Sequence, residues 1–361
     1  MSYQQQFQPL RMPRDVAPVA AQPQLALPGP DEGWQTWIAE NLLRGCTPQS
    51  MLAQLQNAGL DAVLSQQAID AMRSNPAFVA AQRWQQVHHK LASVVANQQK
   101  LLELSPQYGQ VERRPCPGKQ EFLERYVWAS RPAVFTGIAK DWPAMQRWTL
   151  PQLKARFGEQ MVQIQAGRDD DARFEENKLA HLHNVQFGAF IDRISKHGPS
   201  NDSYLTANNE LLRKPEFASL LADVGALPEF CVAETFNKLS SFWLGPAGTN
   251  TPLHHDTLML LHTQIVGRKR WRFISPLQTP RLYNYFDVYS PIDLDAPDWV
   301  KYPDFEGVQV LEVIAEPGDT VFLPLGWWHQ VSALDVSVSL SYTNLDVPNH
   351  YSFTHPPNKH W

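Results

Sequence analysis

From Ser240 to Thr343 the sequence is cut into short apolar or alternating runs, each closed by a turn signal. This pattern constrains the fold more than any other feature of the chain. Ser240–Leu244 ends at Gly245-Pro-Ala-Gly248. His254–Ile265 alternates in part and stops at Val266-Gly-Arg268. Lys269–Ile274 alternates cleanly, Val308–Ala315 stops at Glu316-Pro-Gly-Asp319, and Thr320–Leu323 and Val336–Tyr342 follow. Many short strands at regular spacing predict a sandwich or jelly roll.

The same stretch carries the residues richest in chemistry. Thr251-Pro-Leu-His-His-Asp-Thr257 holds an H-x-D triplet. Residues i and i+2 of a strand point to one side, so His254 and Asp256 converge and His255 points away. Far downstream, Leu323-Pro-Leu-Gly-Trp-Trp-His-Gln-Val331 offers His329 as a third ligand. Two histidines and one carboxylate hold a non-heme Fe(II) on one face and leave the other open. The open positions suit a bidentate 2-oxo acid and O2.

A 2-oxo acid of this kind needs a cation for its remote carboxylate. Lys269, just past Gly267, is the candidate, because a lysine inside a barrel is costly unless an anion meets it. If residues 266–268 form a hairpin, Lys269 returns antiparallel beside the strand carrying Asp256. Arg270 and Arg272 have the opposite parity and are expected to face outwards. Thr251 and Tyr204 are candidates to add hydroxyl hydrogen bonds to the same carboxylate.

The rest of the chain has a different texture. Residues 1–30 are rich in Gln and Pro and read as a flexible tail. Residues 31–105 read as a helical domain for dimerisation or docking. Trp34, Trp37, Ile38 and Leu42 recur at helical spacing, Thr47-Pro48 opens a second helix, and a third runs from about Ser65 to Met72. A longer helix runs from Asn75-Pro76 to about Leu104. Its apolar positions, from Trp84, Val87, Leu91 and Val94 to Leu101 and Leu102, recur close to every 3.5 residues. That spacing serves either packing on its own domain or a seam with a second copy, giving a homodimer.

Ser105–Gly118 reads as a linker. Beyond it, Gln120–Tyr126 and Val185–Ile194 read as helices, Ser203–Leu205 as a strand, and 167–180 as a charged surface loop. The catalytic domain is placed at 115–345 and a C-terminal tail at 346–361.

Composition excludes some classes. Of 361 residues, 43% are hydrophobic, so a large core is available and global disorder is excluded. A formal net charge of −5 argues against nucleic-acid or anionic-membrane partners. The three cysteines, Cys46, Cys116 and Cys231, form neither a disulfide framework nor a C-x-x-C site. No signal peptide and no apolar run of roughly 18–20 residues is visible. A soluble cytoplasmic protein is expected.

Taken together, Thr251-Pro-Leu-His-His-Asp256, Gln264-Ile-Val-Gly-Arg-Lys-Arg270, Glu316-Pro-Gly-Asp319 and Leu323-Pro-Leu-Gly-Trp-Trp-His329 resemble the Jumonji-C, cupin-like 2-oxoglutarate oxygenases. The likeness is greatest to their protein-hydroxylase branch, which includes the asparaginyl hydroxylase that inhibits hypoxia-inducible factor. Arg131-Pro-Ala-Val134 and Asp141-Trp-Pro143 extend it, over roughly residues 115–345. The resemblance implies a mainly β fold, a double-stranded β-helix with flanking helices, beside an N-terminal all-α domain. It implies that His254, Asp256 and His329 match the metal ligands, and that Lys269, Thr251 and Tyr204 match the 2-oxoglutarate contacts. Ser341 and Leu260 stand where the asparaginyl hydroxylase has Asn near the co-substrate.

The cofactors implied are Fe(II), 2-oxoglutarate and O2. The reaction implied couples decarboxylation of 2-oxoglutarate, to succinate and CO2, with hydroxylation of a peptide or protein side chain. A small-molecule hydroxylase, a non-catalytic cupin that binds or senses, and an isomerase-type cupin are the alternatives. The long insertion at about 275–307, with Tyr283, Tyr285, Tyr289 and Trp299, is expected to cover the substrate.

Overall fold

The computed structural model describes residues 27–207, 209–284 and 287–352. Most of the expected N-terminal tail, Tyr285 and the last nine residues lie outside them. The chain divides into two compact units between Val95 and Ala96.

The first unit is built by its caps. Helix α1 (Glu32–Leu43) begins where the Asp31 side chain accepts from the Trp34 amide at 2.9 Å. Helix α2 (Pro48–Asn57) has Thr47 as cap and Pro48 in its first turn. Asp61 accepts from the amides of Val63 and Leu64, which starts α3 (Ala62–Ser74) three residues earlier than its apolar spacing suggests. Ile38, Met51, Leu55 and Ile69 are fully buried between the three helices. Helix α4 (Pro76–Glu103) then runs for 28 residues, across the division between the units. The first unit leaves its Trp84, Val87, Leu91 and Val94 uncovered, with Trp84 76% exposed.

The second unit holds twelve strands among the described residues. They are β1 (Glu112–Pro115), β2 (Ala133–Thr136), β3 (Met161–Gln165), β4 (Leu182–Gln186), β5 (Ser240–Gly245) and β6 (Asn250–His255). β7 (Leu260–Val266), β8 (Lys269–Ile274), β9 (Leu311–Ala315), β10 (Thr320–Leu323), β11 (Trp328–Ala333) and β12 (Ser337–Tyr342) follow. One sheet has the order β1-β2-β10-β7-β12-β5, the other β6-β11-β8-β9, and β3 pairs with β4 apart from both. β1 and β2 run parallel, and the other strand pairs are antiparallel. This is the expected jelly roll with flanking helices. Helix Phe187–Lys196 buries Phe187, Phe190, Ile191 and Ile194 in the core behind the larger sheet, with Phe122, Trp148 and Phe242.

Several local expectations change. His254–Ile265 is two strands, not one, and Asp256 lies just past the end of β6. β7 and β8 are not a hairpin. Gly267 has φ +70, and a Cβ there would fall 2.2 Å from the Val336 carbonyl oxygen. Only glycine turns this corner, and there the chain leaves the larger sheet for the smaller. Lys269 therefore lies between β11 and β9 rather than beside its sequence neighbour.

Gln120–Tyr126 is an α turn at Lys119–Phe122 followed by a π turn at Leu123–Val127. Ser203–Leu205 makes only isolated bridges, Tyr204 to Gln165 and Leu205 to Leu244. The charged stretch 167–180 is not wholly at the surface: the Arg168 side chain is buried, donating to Glu175 Oε1 and the Asn250 carbonyl. All three cysteines are free. Among the described residues, no helix is long and apolar enough to cross a membrane.

Candidate metal and co-substrate site

β6 and β11 lie side by side in the smaller sheet, with His254 opposite His329. Their ring centroids are 4.1 Å apart. The His254 Nδ1 sits 2.8 Å from the Pro252 carbonyl, and the His329 Nδ1 sits 3.1 Å from the Trp327 carbonyl. A carbonyl only accepts, so each Nδ1 donates, and in the neutral form of that tautomer the Nε2 lone pair is free. Asp256 Oδ1 lies 3.9 Å from the His254 Nε2, and Oδ2 lies 3.7 Å from the His329 Nε2. One ligand atom from each residue falls within 4.8 Å of the others, a group that could hold a metal ion.

Burial pushes His329 well below the usual histidine range and raises the Asp256 carboxyl. A neutral imidazole is the form that binds a cation, and a divalent cation would also offset the charge of the half-buried carboxylate. The donor set thus fits Fe(II). His255 points to the other side, where it meets the Trp328 ring edge-on with centroids 4.6 Å apart and shares a hydrogen bond with the Tyr351 hydroxyl.

Asp256 opens a loop that the sequence pattern leaves unsupported. The segment expected to be a tail braces it. The Met259 amide donates to Asn349 Oδ1 at 2.6 Å, and Asn349 Nδ2 donates to the carbonyls of Met259 and Thr343. The Tyr351 amide donates to the Thr257 carbonyl at 3.0 Å.

The cluster opens into a cavity of about 510 Å³, also lined by Lys269, Tyr204, Thr251 and Ser341. Lys269 is only 2% exposed. Its Nζ donates to the Tyr204 hydroxyl at 2.9 Å and to Ser339 Oγ at 3.0 Å. No carboxylate among the described residues reaches it, and burial pushes its amine down to about 7. A buried amine with only neutral partners, at the wall of a cavity, fits the far carboxylate of a 2-oxo acid. Thr251 faces the same cavity, and Ser341 Oγ accepts from the Trp243 indole at 2.8 Å.

Four features escaped the sequence. Ser339 holds Lys269, and its signal was the Ser alternation of β12. Trp243 and Trp271 both line the cavity, and Trp271 stacks on His329 with centroids 5.7 Å apart. Glu175, in the supposed surface loop, lines the cavity beside Tyr204. His262 also lines it; strand parity with Leu260 was its signal.

The insertion does not lie wholly over the mouth. Its Leu282, Ile292 and Phe305 pack with Leu253 and Trp328, neighbours in sequence of the two site histidines. Trp299 is 52% exposed. Arg272, expected outside, is covered here, its Nη2 donating to Asp295 at 2.7 Å. Only Val288 and Tyr289 of the insertion's described residues line the cavity, because Tyr289 bridges to His254 along the free edge of β6.

A jelly roll whose smaller sheet carries two histidines, with a carboxylate just past the end of β6 and a buried lysine in the same cavity, defines a cupin-type class. A family profile described as the cupin-like domain matches residues 119–343, more than half of the chain. The chain belongs to this family, in its JmjC type, which depends on Fe(II), 2-oxoglutarate and O2. It is 30% identical over 235 residues to lysine-specific demethylase 8 of Xenopus tropicalis, covering 63% of this chain and 51% of that protein. It is 30% identical over 243 residues to lysine-specific demethylase JMJ30 of Arabidopsis thaliana, covering 64% and 54%. It is 28% identical over 236 residues to tRNA wybutosine-synthesizing protein 5 of Danio rerio, covering 62% and 71%. The matched region spans about half the length of the two demethylases.

Proposed function

We propose that the chain is an Fe(II)- and 2-oxoglutarate-dependent oxygenase that hydroxylates a side chain of a peptide or protein. The observation that carries this reading is the cavity shared by the His254–Asp256–His329 cluster and the unpaired, buried Lys269. When bound, Fe(II) activates O2 and couples decarboxylation of 2-oxoglutarate to oxidation of a substrate C–H bond. The chain's own residues do the rest. His254, Asp256 and His329 hold the metal. Lys269, with Tyr204 and Thr251, seats the co-substrate. Trp243, Trp271, Leu260 and Val331 wall the cavity with apolar surface that keeps water out.

A peptide is favoured over a small molecule by the cavity lining, where Lys178, Glu210, Arg213 and Lys238 offer charges of both signs. The names of the demethylase relatives also point to protein side chains, and demethylation is hydroxylation directed at an N-methyl carbon. Mass spectrometry of a cell extract incubated with and without the enzyme tests the reading. Peptides that gain one oxygen are expected, with succinate released in step. Gain of oxygen only among small metabolites favours the small-molecule alternative. No oxygen gain, methyl loss or succinate release leaves a non-catalytic cupin.

The uncovered face of α4 supports a second proposal, a homodimer. Trp84, Val87, Leu91 and Val94 recur at alternating spacings of three and four residues and stand exposed. In sedimentation velocity the full-length chain is expected to run as a dimer and Leu91→Glu as a monomer. A wild-type monomer, or a dimeric Leu91→Glu, refutes the pairing.

A further inference from the structure

One imidazole in the cavity has no task in this scheme. His262 stands in the middle of β7 and is 4% exposed. Its ring meets Trp271 edge-on, centroids 5.0 Å apart, and lies 5.9 Å from Trp243. Its Nε2 is shut from water and has no hydrogen-bond partner. Buried polar groups are rarely left so, and an orphan that lines a cavity points to something that fills the cavity. Burial, Lys269 and His329 all oppose its protonation, so the ring is neutral. A neutral imidazole still carries one N–H donor.

The surroundings say what that donor meets. Leu260, His262 and Gln264 share one side of β7 by strand parity. Leu260 is apolar, and the Gln264 amide nitrogen is spent on the carbonyls of Val266 and Gly267. His262 is thus the unspent donor that β7 offers to the cavity. Across the sheet it pairs with Ser341 of β12. Two residues along the same side of β12 is Ser339, which accepts from the Lys269 amine. The imidazole therefore continues the polar strip that begins at Lys269.

We infer that His262 donates a hydrogen bond to the 2-oxo acid seated on Lys269, and so is a co-substrate-binding residue of this chain. The inference rests on the oxygenase reading above. It makes His262 a group that sets co-substrate affinity without holding the metal.

Calorimetric titration of 2-oxoglutarate into the full-length, Mn(II)-loaded protein, in the absence of O2, tests it. His262→Leu is expected to bind about tenfold more weakly, a loss of about 1.4 kcal/mol. His262→Gln, which restores a donor, is expected to recover most of that affinity. Mn(II) affinity should be the same in all three proteins. A second readout uses the wild-type chain alone: on adding 2-oxoglutarate to the Zn(II)-loaded protein, one histidine ring N–H resonance, absent in His262→Gln, should shift. A His262→Leu protein that binds within about twofold of wild type, or a His262 resonance that does not move, overturns the inference while the oxygenase reading stands. A wild-type protein that takes up no 2-oxoglutarate at all overturns both.

Discussion

Replacing His254 and Asp256 together by alanine is expected to abolish the weak visible charge-transfer band that Fe(II) and 2-oxoglutarate give with the wild-type protein without O2. Each of the two side chains supplies one ligand atom, and His329 alone would remain. Losing an outer partner of a metal ligand costs roughly 10- to 100-fold in affinity, and losing two of three ligands costs far more. The fold should survive. Both side chains face the cavity rather than the core, and β6 keeps its pairing with β11 through backbone bonds. A folded double variant that keeps the band would refute the assignment of the metal site, as would a wild-type protein that never shows it.

Lys269→Ala is expected to leave the metal site intact and remove co-substrate binding. Truncating one partner of a buried charge pair costs about 2–5 kcal/mol, so 2-oxoglutarate affinity should fall on the order of 100-fold or more. Succinate formed without substrate should fall in parallel, while Mn(II) affinity is unchanged. The lysine also gives the wild type a pH signature. Its amine is held down to about 7, and the charged form is the one that meets an anion. Above about pH 7 the free protein must take up a proton to bind, so affinity is expected to fall as pH rises, by up to tenfold per unit.

Stability of the co-substrate-free protein runs the other way. Between about 7 and the ordinary lysine value the unfolded chain binds more protons at this residue than the folded chain, so this residue's contribution to stability rises with pH. Both trends should vanish in Lys269→Ala. Unchanged 2-oxoglutarate affinity in that variant would remove Lys269 from the site.

Much of the local order was legible. Thr47 marks a helix start because a short side chain meets a free amide there, whereas the Asp61 cap went unread and the third helix was expected three residues late. Alternation placed His254 and Asp256 on one side and His255 on the other, which depends only on the two-residue period of a strand. Local signals were weaker at Asp256, which lies beyond the strand end, and its position is supported from Asn349 and Tyr351 far along the chain. Likewise the insertion's aromatic residues did not reveal that most of its apolar surface goes to Leu253 and Trp328, leaving Tyr289 as its described aromatic at the cavity.

Sequence by itself determined the helical caps, the short strands and the facing of each residue within its own strand, because these depend on neighbours within a few positions. Only the tertiary structure decided which strands lie together. At Gly267 the sequence shows a turn, but only the structure shows that the chain passes there to the other sheet, so close to Val336 that any side chain would clash. That crossing puts Lys269 against Tyr204 and Ser339, residues 65 and 70 positions away. The His262 Nε2 is left without a hydrogen-bond partner at a cavity whose other walls include β5, β6, β8, β11 and β12. A strand's period tells which way a side chain points; what it meets there is set by residues too distant for any local pattern to record.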